Sequence, residues 1–294
     1  MIPVSLKAIA SAFPEPVVTN DFFCEGKGLP EFGMFRGAKR RHHMAPGQTA
    51  VDLIVEATST IVEQVGFDPS EELDIILTYV SMPDLPFTGC GAEVAKALGA
   101  RPSAVYDLHN HGCISFISMM ELARALMTTT GAKTALLCNV QTAAGRIFSD
   151  PEVRKCSQAA VPGDGCGVAL LVAGDERPIE HTKVRCFAEY ASDMQISSRD
   201  DRDWWQPGDT QFSIDFSRSK VPKIVRRANQ LVPSLVDETC KQVGIKPSEA
   251  GTLITNQPNP VFLRNWREAL QVSSSVLPSS VGPPPPTFKS RPLG

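Results

Sequence analysis

Cys113 is the residue of this chain whose type and position best suit chemistry. It follows a predicted strand at 105–109 after a three-residue turn, and it opens a predicted helix at 113–130. The macrodipole and the free N–H groups at a helix start lower the pKa of a thiol, and the same N–H groups can receive the oxyanion of a thioester under attack. The position therefore predicts a nucleophile for acyl transfer, although a small buried residue at a helix start would fit the same pattern.

Two histidines flank the turn that leads to Cys113. His109 and His111 are two positions apart, so their side chains would point to one face of a strand, and one of them could approach the thiol. One hypothesis is that His111 tunes or deprotonates Cys113. The alternative is that both imidazoles fill polar positions near a dimer interface.

The other three histidines offer no clear base. His42 and His43 lie in a basic stretch and are expected to be solvated, and His181, at a loop-to-strand junction, is expected to be exposed. No histidine follows position 181, so the chain beyond it cannot supply a catalytic imidazole.

A glycine-rich turn, Pro162 to Gly167, runs straight into a predicted buried strand at 167–172. Its glycines stand at alternate positions, which predicts a tight and closely packed backbone turn. A phosphate-binding loop is the alternative, but such a loop follows a strand and opens a helix, whereas this one precedes a strand. We therefore interpret Gly163, Gly165 and Gly167 as structural residues.

Around these residues, strands alternate with helices, which predicts an α/β domain with a mostly parallel, helix-covered sheet. The predicted strands of this first series are 4–10, 74–80, 105–109, 135–140 and 167–172, and its helices are 93–98 and 113–130. After Asp175 the pattern begins again, with strands at 184–190 and 253–255 and helices at 224–243 and 260–270. Pro233 predicts a kink or break in the first of these two helices. Residues 191–220 are polar and irregular and suggest a loop or cap.

The order of elements predicts two related halves, residues 1–175 and 183–271. The last segment, residues 272–294, is rich in Pro and Ser and includes four consecutive prolines. Such a run cannot form a central strand, so we expect a disordered or extended tail and a second sheet that lacks its last strands. A natural divergent terminus and a truncated or frame-shifted sequence would both give this ending.

Composition excludes several classes of protein. Over 294 residues the formal net charge is −3 and the pI is about 6.0, so no basic surface predicts a nucleic acid or an anionic membrane as partner. No run of about 18 apolar residues occurs, so no membrane-spanning helix is predicted. The eight cysteines are at least ten positions apart, which leaves no CxxC motif, and several lie in apolar runs as buried free thiols do. We expect a cytoplasmic protein without a metal site.

Cys113 in its strand–cysteine–helix setting and the PGDGCGVALL turn together resemble the ketoacyl-ACP (acyl carrier protein) synthase III family of the thiolase superfamily. Three further segments, AFPEPVVTN, FRGAKRRHHMA and MPDLPF, are also similar to parts of that family. The resemblance implies a thiolase-like α/β fold, with two similar halves packed in five layers, usually as a homodimer. It also implies an acyl-enzyme on Cys113, formed from an acyl-CoA or acyl-ACP thioester, with Phe87 lining a pocket across the dimer interface.

The chain departs from the family at its second catalytic motif. Where the family has His-Gln-Ala-Asn, this sequence has Asn256, Gln257, Pro258 and Asn259. An amide can donate a hydrogen bond to a thioester carbonyl, but it cannot hold a proton as a base. The family's second catalytic asparagine, in a Gly-Asn turn, has no counterpart. Because decarboxylative condensation needs two donors for the enolate of a malonyl thioester, these changes favour acyl transfer over condensation.

Three functions remain open. The first is an acyltransferase of polyketide, antibiotic or fatty acid biosynthesis that takes an acyl group onto Cys113 and passes it to a carrier protein or a hydroxyl acceptor. The second is a ketoacyl-ACP synthase III that condenses the acyl group with malonyl-ACP, and the third is a non-catalytic partner subunit of a ketosynthase. The first needs no cofactor beyond its acyl-CoA or acyl-ACP substrate. It assigns catalysis to Cys113, Asn256 and His111, and substrate binding to Phe87, Asn259, Trp204 and Trp205.

Overall fold

The computed structural model of the chain describes residues 2–24, 38–85, 87–109, 111–155, 157–191, 193, 195–198, 200–209, 212–215 and 220–278. The strands are β1 Val4–Ala12, β2 Val17–Thr19, β3 Arg40–His42, β4 Ile75–Val80, β5 Ala104–Asp107, β6 Thr134–Gln141, β7 Gly165–Ala173, β8 Gln195–Ser197 and β9 Ser213–Asp215. The α-helices are α1 Asp21–Cys24, α2 Ala50–Val65, α3 Pro69–Glu72, α4 Gly91–Ala97, α5 Ser115–Thr130, α6 Ala143–Arg146, α7 Val221–Gln242 and α8 Pro260–Leu270. Short 3₁₀ turns cover Gly112–Ile114, Ser157–Ala160, Ala188–Tyr190 and Pro247–Glu249.

A five-stranded sheet in the order β1-β7-β6-β4-β5 forms the centre of the first compact unit. Helices α2 and α4 pack on one face, over a core that includes Leu53, Ile54 and Ile76. Helix α5 covers the other face, over a core that includes Leu77 and Met119. Alternating side chains on the strands thus fill two apolar layers, and the α/β expectation is confirmed.

The sheet is mixed, which corrects the expectation of a mostly parallel sheet. Strands β4, β5 and β6 run parallel, whereas β7 is antiparallel to both β6 and β1. Buried strands have continuous apolar sequences in either direction, so the pattern of residues does not specify strand direction. The three parallel strands are the ones whose carboxyl ends lead toward the Cys113 region.

Helix α2 is an element for which the sequence analysis makes no prediction. It begins after Thr49, where Thr49 and Asp52 form a reciprocal capping box, and it ends at Gly66, whose φ is 68°. Its apolar residues recur at helical spacing and are buried against β1, β6 and β7. Both capping signals and the periodicity are present in the sequence, so this helix was predictable.

The second compact unit comprises residues 30–39 and 217–294, and its part within residues 220–278 contains α7, α8 and one 3₁₀ turn. The Trp266 Nε1–H of α8 donates to the Ala228 carbonyl of α7 at 3.1 Å, and apolar side chains of both helices form one core. The prediction of α8 is confirmed at both ends. Helix α7 continues through Pro233, whose side chain is buried, so the predicted break is wrong.

Three other expectations for this part of the chain need correction. Residues 184–187 and 253–255 form no strand, although the Leu253 N–H donates to the Val276 carbonyl at 2.6 Å. Val272 and Leu277 are buried against α8, so the predicted tail begins later than 272. Its remainder, 279–294, lies outside the described residues. The division into halves at 1–175 and 183–271 stays a prediction.

Candidate active site

Cys113 lies in the 3₁₀ turn Gly112–Ile114, immediately before α5, at the end of the segment that follows β5. Gly112 adopts a φ of 47°, a left-handed conformation that glycine accepts without a steric penalty. The side chain of Cys113 is exposed, so a thioester can approach the sulfur. The strand–turn–cysteine–helix arrangement predicted from the sequence is therefore present.

The electrostatics of Cys113 differ from the expectation. Although its surface is exposed, protein atoms crowd the sulfur, and this desolvation raises the pKa of the Cys113 thiol above its ordinary value. A hydrogen bond from its own backbone lowers that pKa by less. The prediction that the helix start lowers the pKa of Cys113 is therefore wrong, because this pKa is raised. At neutral pH most of the thiol is protonated. A hydrogen-bond donor or a base is needed to favour the thiolate.

The two histidines of this turn have different exposures. His109 is exposed, and His111 is half-buried with its carbonyl accepting the Ile114 N–H at 3.1 Å. Asn110, between them, lies outside the described residues. The participation of the His111 imidazole in catalysis stays a prediction.

Tyr79 is a neighbour of Cys113 that the sequence analysis did not single out. Burial raises the pKa of the Tyr79 phenol, the charge of the Cys113 thiolate raises it further, and a hydrogen bond from the Gly112 backbone lowers it. In the sequence, the feature that could have drawn attention to Tyr79 is its place near the end of the apolar run DIILTYV.

The histidines of the basic stretch are not both solvated. His43 is only 5% exposed, and its ring makes edge contacts with Phe22 and Phe23 at centroid distances of 5.5 and 6.0 Å. Burial lowers the pKa of His43, while nearby Asp164 partly opposes this change. His181, expected to be exposed, is half-buried, and its Nε2 atom has no hydrogen-bond partner among the described residues.

The glycine-rich turn is built around Asp164. Its buried carboxylate accepts N–H groups from Met44 at 2.7 Å, Ala144 at 2.8 Å and Gly145 at 2.6 Å, and these bonds hold three separate segments together. Desolvation raises the pKa of Asp164, and the three hydrogen bonds lower it. This arrangement accounts for the turn without a bound phosphate.

Two of the three predicted structural glycines have no room for a side chain. A Cβ at Gly163 would lie 2.9 Å from the Arg41 Cβ, and one at Gly165 would lie 2.9 Å from the Phe13 ring. A Cβ at Gly167 would meet nothing within 4 Å. The close packing predicted for this turn therefore concerns Gly163 and Gly165, and nothing in the structure explains a glycine at 167.

Three predicted substrate-binding residues form one exposed aromatic group. The ring of Phe87 lies 6.0 Å from that of Trp204, which makes an edge contact with Trp205 at 5.9 Å. Phe87 is 95% exposed and has a φ of 75°, a conformation that is uncommon for a bulky residue. Backbone strain of this kind concentrates at functional sites.

The two asparagines of the altered motif differ in environment. Asn256 is exposed in an irregular segment before α8. Asn259 is 2% exposed and caps α8, because its Oδ1 accepts the N–H groups of Val261 at 2.9 Å and Phe262 at 3.0 Å. Helix capping accounts for Asn259, and such burial argues against direct contact with substrate.

A cavity of about 380 Å³ lies beside the start of α2, and its lining does not include Cys113. Arg146 borders it and donates to Asp84 and to the carbonyls of Met82 and Gln48, which gives this arginine a structural role. The described part of the chain contains no group of three or more His, Cys, Asp or Glu side chains that could hold a metal ion. Within the same residues, no helix is long and apolar enough to cross a membrane.

Comparison with known proteins extends these observations. Residues 106–188 match the family described as 3-oxoacyl-[acyl-carrier-protein (ACP)] synthase III. A beta-ketoacyl-[acyl-carrier-protein] synthase III of Methylococcus capsulatus is 26% identical over 261 residues, which are 88% of this chain and 78% of the relative.

Solved structures share the fold at low sequence identity. The 3-oxoacyl-(acyl carrier protein) synthase III of Pseudomonas aeruginosa has a TM-score of 0.75 at 20% identity and covers 95% of this chain and 83% of its own. The priming beta-ketosynthase of the R1128 polyketide pathway has a TM-score of 0.78 at 19% identity, with coverages of 94% and 80%.

The chain thus has a thiolase-like fold, with a cysteine at a strand-to-helix turn. The matched family and the relative from Methylococcus capsulatus are named as synthases. Within that class, the chain is similar to the ketoacyl-ACP synthase III family, the family that its motifs resemble.

Proposed function

We propose that the chain is an acyl-thioester transferase whose first step is acylation of Cys113. The observation that carries this proposal is an exposed cysteine on the turn between β5 and α5, in a fold that the synthase III structures share. In this step a bond forms between Sγ and the acyl carbon while the bond from that carbon to the sulfur of CoA or of the carrier protein breaks. The Cys113 proton ends on the leaving thiol, so charge is conserved.

Two fates of the acyl-enzyme are consistent with this first step. The names of the relatives favour condensation with malonyl-ACP, which would make the chain a beta-ketoacyl-ACP synthase III. The names of the relatives support condensation more strongly than transfer without condensation, the function that the sequence analysis favours. We therefore take condensation as the first candidate.

Transfer without condensation remains the second candidate, because one observation favours it. Asn256 stands where the family has histidine, and an amide cannot hold the proton that an imidazole holds. Condensation needs stabilisation of the malonyl enolate, whereas attack by a carrier-protein thiol or a hydroxyl needs no enolate. An acceptor entering past Trp204 and Trp205 fits this candidate.

Intact-protein mass spectrometry after exposure to a series of acyl-CoA thioesters tests the first step. We expect one added acyl group on the protein, mapped to Cys113 after digestion. Cys113→Ala should abolish the adduct, and Cys186→Ala, which removes another exposed cysteine, should retain it. An adduct that persists in Cys113→Ala contradicts the proposal.

The same acyl-enzyme, given malonyl-ACP, distinguishes the two candidates. A β-ketoacyl-ACP with release of one CO₂ per product supports condensation. Return of the unchanged acyl group to ACP or to a hydroxyl acceptor, without CO₂, supports transfer. The Asn256→His variant, which restores the family residue, should increase condensation in the first case and leave transfer unchanged in the second.

We also propose that the protein is a homodimer that uses the β5 edge of the sheet. Among the described strands β5 pairs with β4 alone, so one side of its backbone is open. Three large apolar side chains on β5 and in the turn and helix that follow it are 43% to 46% exposed, namely Tyr106, Ile114 and Ile117. Open strand edges and exposed apolar groups together favour association. The cytoplasmic location stays a prediction.

A further inference from the structure

Asp107, the last residue of β5, bonds to two other segments at the carboxyl edge of the parallel strands. Its Oδ1 atom accepts the backbone N–H groups of Cys90 at 2.8 Å and Gly91 at 3.0 Å, and it also accepts the Thr78 hydroxyl of β4. Thr78 is 1% exposed, so the bonded group is anchored in the interior. The carboxylate therefore holds the start of α4 against the ends of β4 and β5.

The turn from Gly89 to Gly91 packs so closely on β5 that it has no room for side chains. A Cβ at Gly89 would overlap the Asp107 carboxyl group, and one at Gly91 would lie 2.5 Å from the Val105 Cγ1 atom. Gly89 also has a φ of 64°, which glycine adopts without a steric penalty. Packing this close leaves the turn one position, and the hydrogen bonds to Asp107 set it.

A second carboxylate holds the other end of the same segment. The Asp84 Oδ2 atom accepts the Ala50 N–H at the start of α2 at 3.0 Å, and its Oδ1 atom forms an ion pair with Arg146. Both side chains of this pair are mostly buried. Phe87 therefore lies on a short stretch of chain between two anchors, each bonded to other elements of the fold.

The anchors account for the unusual state of Phe87. This residue is 95% exposed and has a φ of 75°, a conformation that is uncommon for a bulky side chain. Such a conformation persists only where the surrounding structure holds it. The bonds to Asp84 and Asp107 hold the chain on either side, so the exposure of the Phe87 ring is a property of the fold.

The Phe87 segment and the Cys113 turn leave the sheet at the same edge. Strands β4 and β5 are adjacent and parallel, and Thr78 of β4 pairs with Asp107 of β5. The chain continues from β4 to Phe87 and from β5 to Cys113. Asp107 thus connects both segments, since it belongs to the strand that leads to Cys113 and bonds the turn that follows Phe87.

We propose that Asp107 is a positioning residue that holds the Phe87 ring at this edge and thereby sets the length of the acyl chain that Cys113 accepts. The inference rests on the proposed acylation of Cys113 and on the substrate-binding role predicted for Phe87, and it deepens both. Asp107 touches no substrate in this role and acts through the Gly89–Gly91 turn. A fixed aromatic ring can discriminate well, because one methylene in an apolar pocket changes a rate by roughly 10- to 200-fold.

The test uses alkyl methanethiosulfonates, from methyl to octyl, and follows the Cys113 peptide by mass spectrometry. The Sγ atom forms a disulfide with the alkylthio group, methanesulfinate leaves, and the thiol proton goes to the buffer. We expect the wild type to distinguish these chain lengths. Asp107→Leu, which removes the acceptor atoms at similar size, should change the methyl-to-octyl rate ratio by about tenfold or more. Asp107→Asn, whose Oδ1 atom can accept the same bonds, should keep the wild-type ratio.

Asp74→Leu is the matched control. Asp74 stands immediately before β4, at the other end of that strand, and its Oδ2 atom accepts the N–H groups of Lys133 at 2.6 Å and Thr134 at 3.1 Å. Its loss should lower stability, as the loss of Asp107 does, and leave the rate ratio unchanged. An equal change of the ratio in Asp74→Leu and Asp107→Leu overturns the inference, because the effect would then follow stability alone.

A double-mutant cycle tests whether Asp107 acts through Phe87. Phe87→Ala should itself change the ratio, and in that background Asp107→Leu should change it no further. Additive effects of the two substitutions, or a wild type that reacts equally with all chain lengths, overturn the inference.

Gly89→Ala covers the case in which Asp107→Leu does not fold. Its Cβ displaces the turn from the Asp107 carboxylate, so the ratio should change as it does in Phe87→Ala. Gly99→Ala, at a φ of 65° but with no atom closer to the added Cβ than 3.9 Å, should leave the ratio unchanged. An unchanged ratio in Gly89→Ala overturns the inference.

The thiosulfonates separate this inference from the proposed function, because they need no acyl thioester. A changed ratio in Asp107→Leu, in a protein that forms no acyl-enzyme with acyl-CoA, supports the role of Asp107 and contradicts the function alone. Acylation of Cys113 by acyl-CoA with an unchanged ratio in Asp107→Leu overturns the inference alone.

Discussion

The buried thiols near β4 are chemically distinct from Cys113. Cys90, Cys138 and Cys166 belong to the apolar layer under α2 and are at most 4% exposed. Burial raises the pKa of Cys90 to about 11 and that of Cys166 to about 12. These groups are neutral wherever the protein is folded and the pH is near neutral, so the exposed Cys113 can react while they do not.

The raised pKa values predict a loss of stability at alkaline pH. Between the unfolded pKa near 8.5 and the folded value, the unfolded chain has lost a proton that the folded chain keeps. The free energy of unfolding therefore falls as the pH rises above about 8.5, by about 1.4 kcal/mol per pH unit for each such thiol. Urea unfolding at pH 7 to 10 measures this slope.

Cys166→Ala removes one of these groups and provides the control for that slope. We expect it to make the alkaline decline shallower by about 1.4 kcal/mol per pH unit. Cys186→Ala, which changes an exposed cysteine, should leave the decline as it is. A slope that is identical in all three proteins contradicts the prediction.

At the scale of single residues, the sequence identifies which residues can react better than it identifies the surroundings of those residues in the fold. The type of Cys113 and its place between a strand and a helix follow from local patterns, and the structure has both. The direction of its pKa shift does not follow from them, because that shift depends on how strongly the folded chain desolvates the sulfur. His43 shows the same limit, since a basic stretch suggests solvent while its ring packs on two phenylalanines.

Among the elements, the glycine-rich turn offers a matched pair of substitutions. Gly163→Ala forces a Cβ to 2.9 Å from the Arg41 Cβ, and because that atom is attached to backbone it cannot move freely. We expect a loss of about 1–3 kcal/mol of stability. Gly167→Ala meets nothing within 4 Å and should be neutral or stabilising by up to about 1 kcal/mol.

Thermal unfolding of both variants measures this difference. The wild type and Gly167→Ala should unfold at similar temperatures, with Gly163→Ala several degrees lower. Equal losses for the two alanines would show that the turn does not depend on close packing at 163.

Prediction of the elements succeeds where a segment is long and periodic. Helix α5 and the strands β4, β6 and β7 fall within a few residues of their predicted positions. Residues 184–190 have a composition typical of a strand, but among the described residues they pair with no strand. Helix α2 is not predicted, although its capping residues are present in the sequence. Strand direction in the sheet depends on long-range pairing, and no local pattern contains it.

The open side of strand β5 predicts how two copies of the whole molecule associate. If β5 lies at a dimer interface, Tyr106→Lys should place two like charges near the symmetry axis and shift the protein toward monomer. Ile9→Lys, at an exposed position on β1 at the opposite edge, should leave the dimer intact. Sedimentation velocity at micromolar concentration distinguishes these states. A wild type that sediments as a monomer at all concentrations contradicts the prediction.

Pairing of β1 with β7 has a consequence for biosynthesis. The Ser5 Oγ donates to the Gly174 carbonyl, 169 positions later, and nearly the whole of β1 pairs with β7. At about 5–20 residues per second, a ribosome needs roughly ten to thirty seconds to add that length of chain. During this time the apolar strand β1 has no partner strand. Because the contacts of this sheet join residues so distant in sequence, we expect chaperones to bind the nascent chain before the Cys113 site has formed.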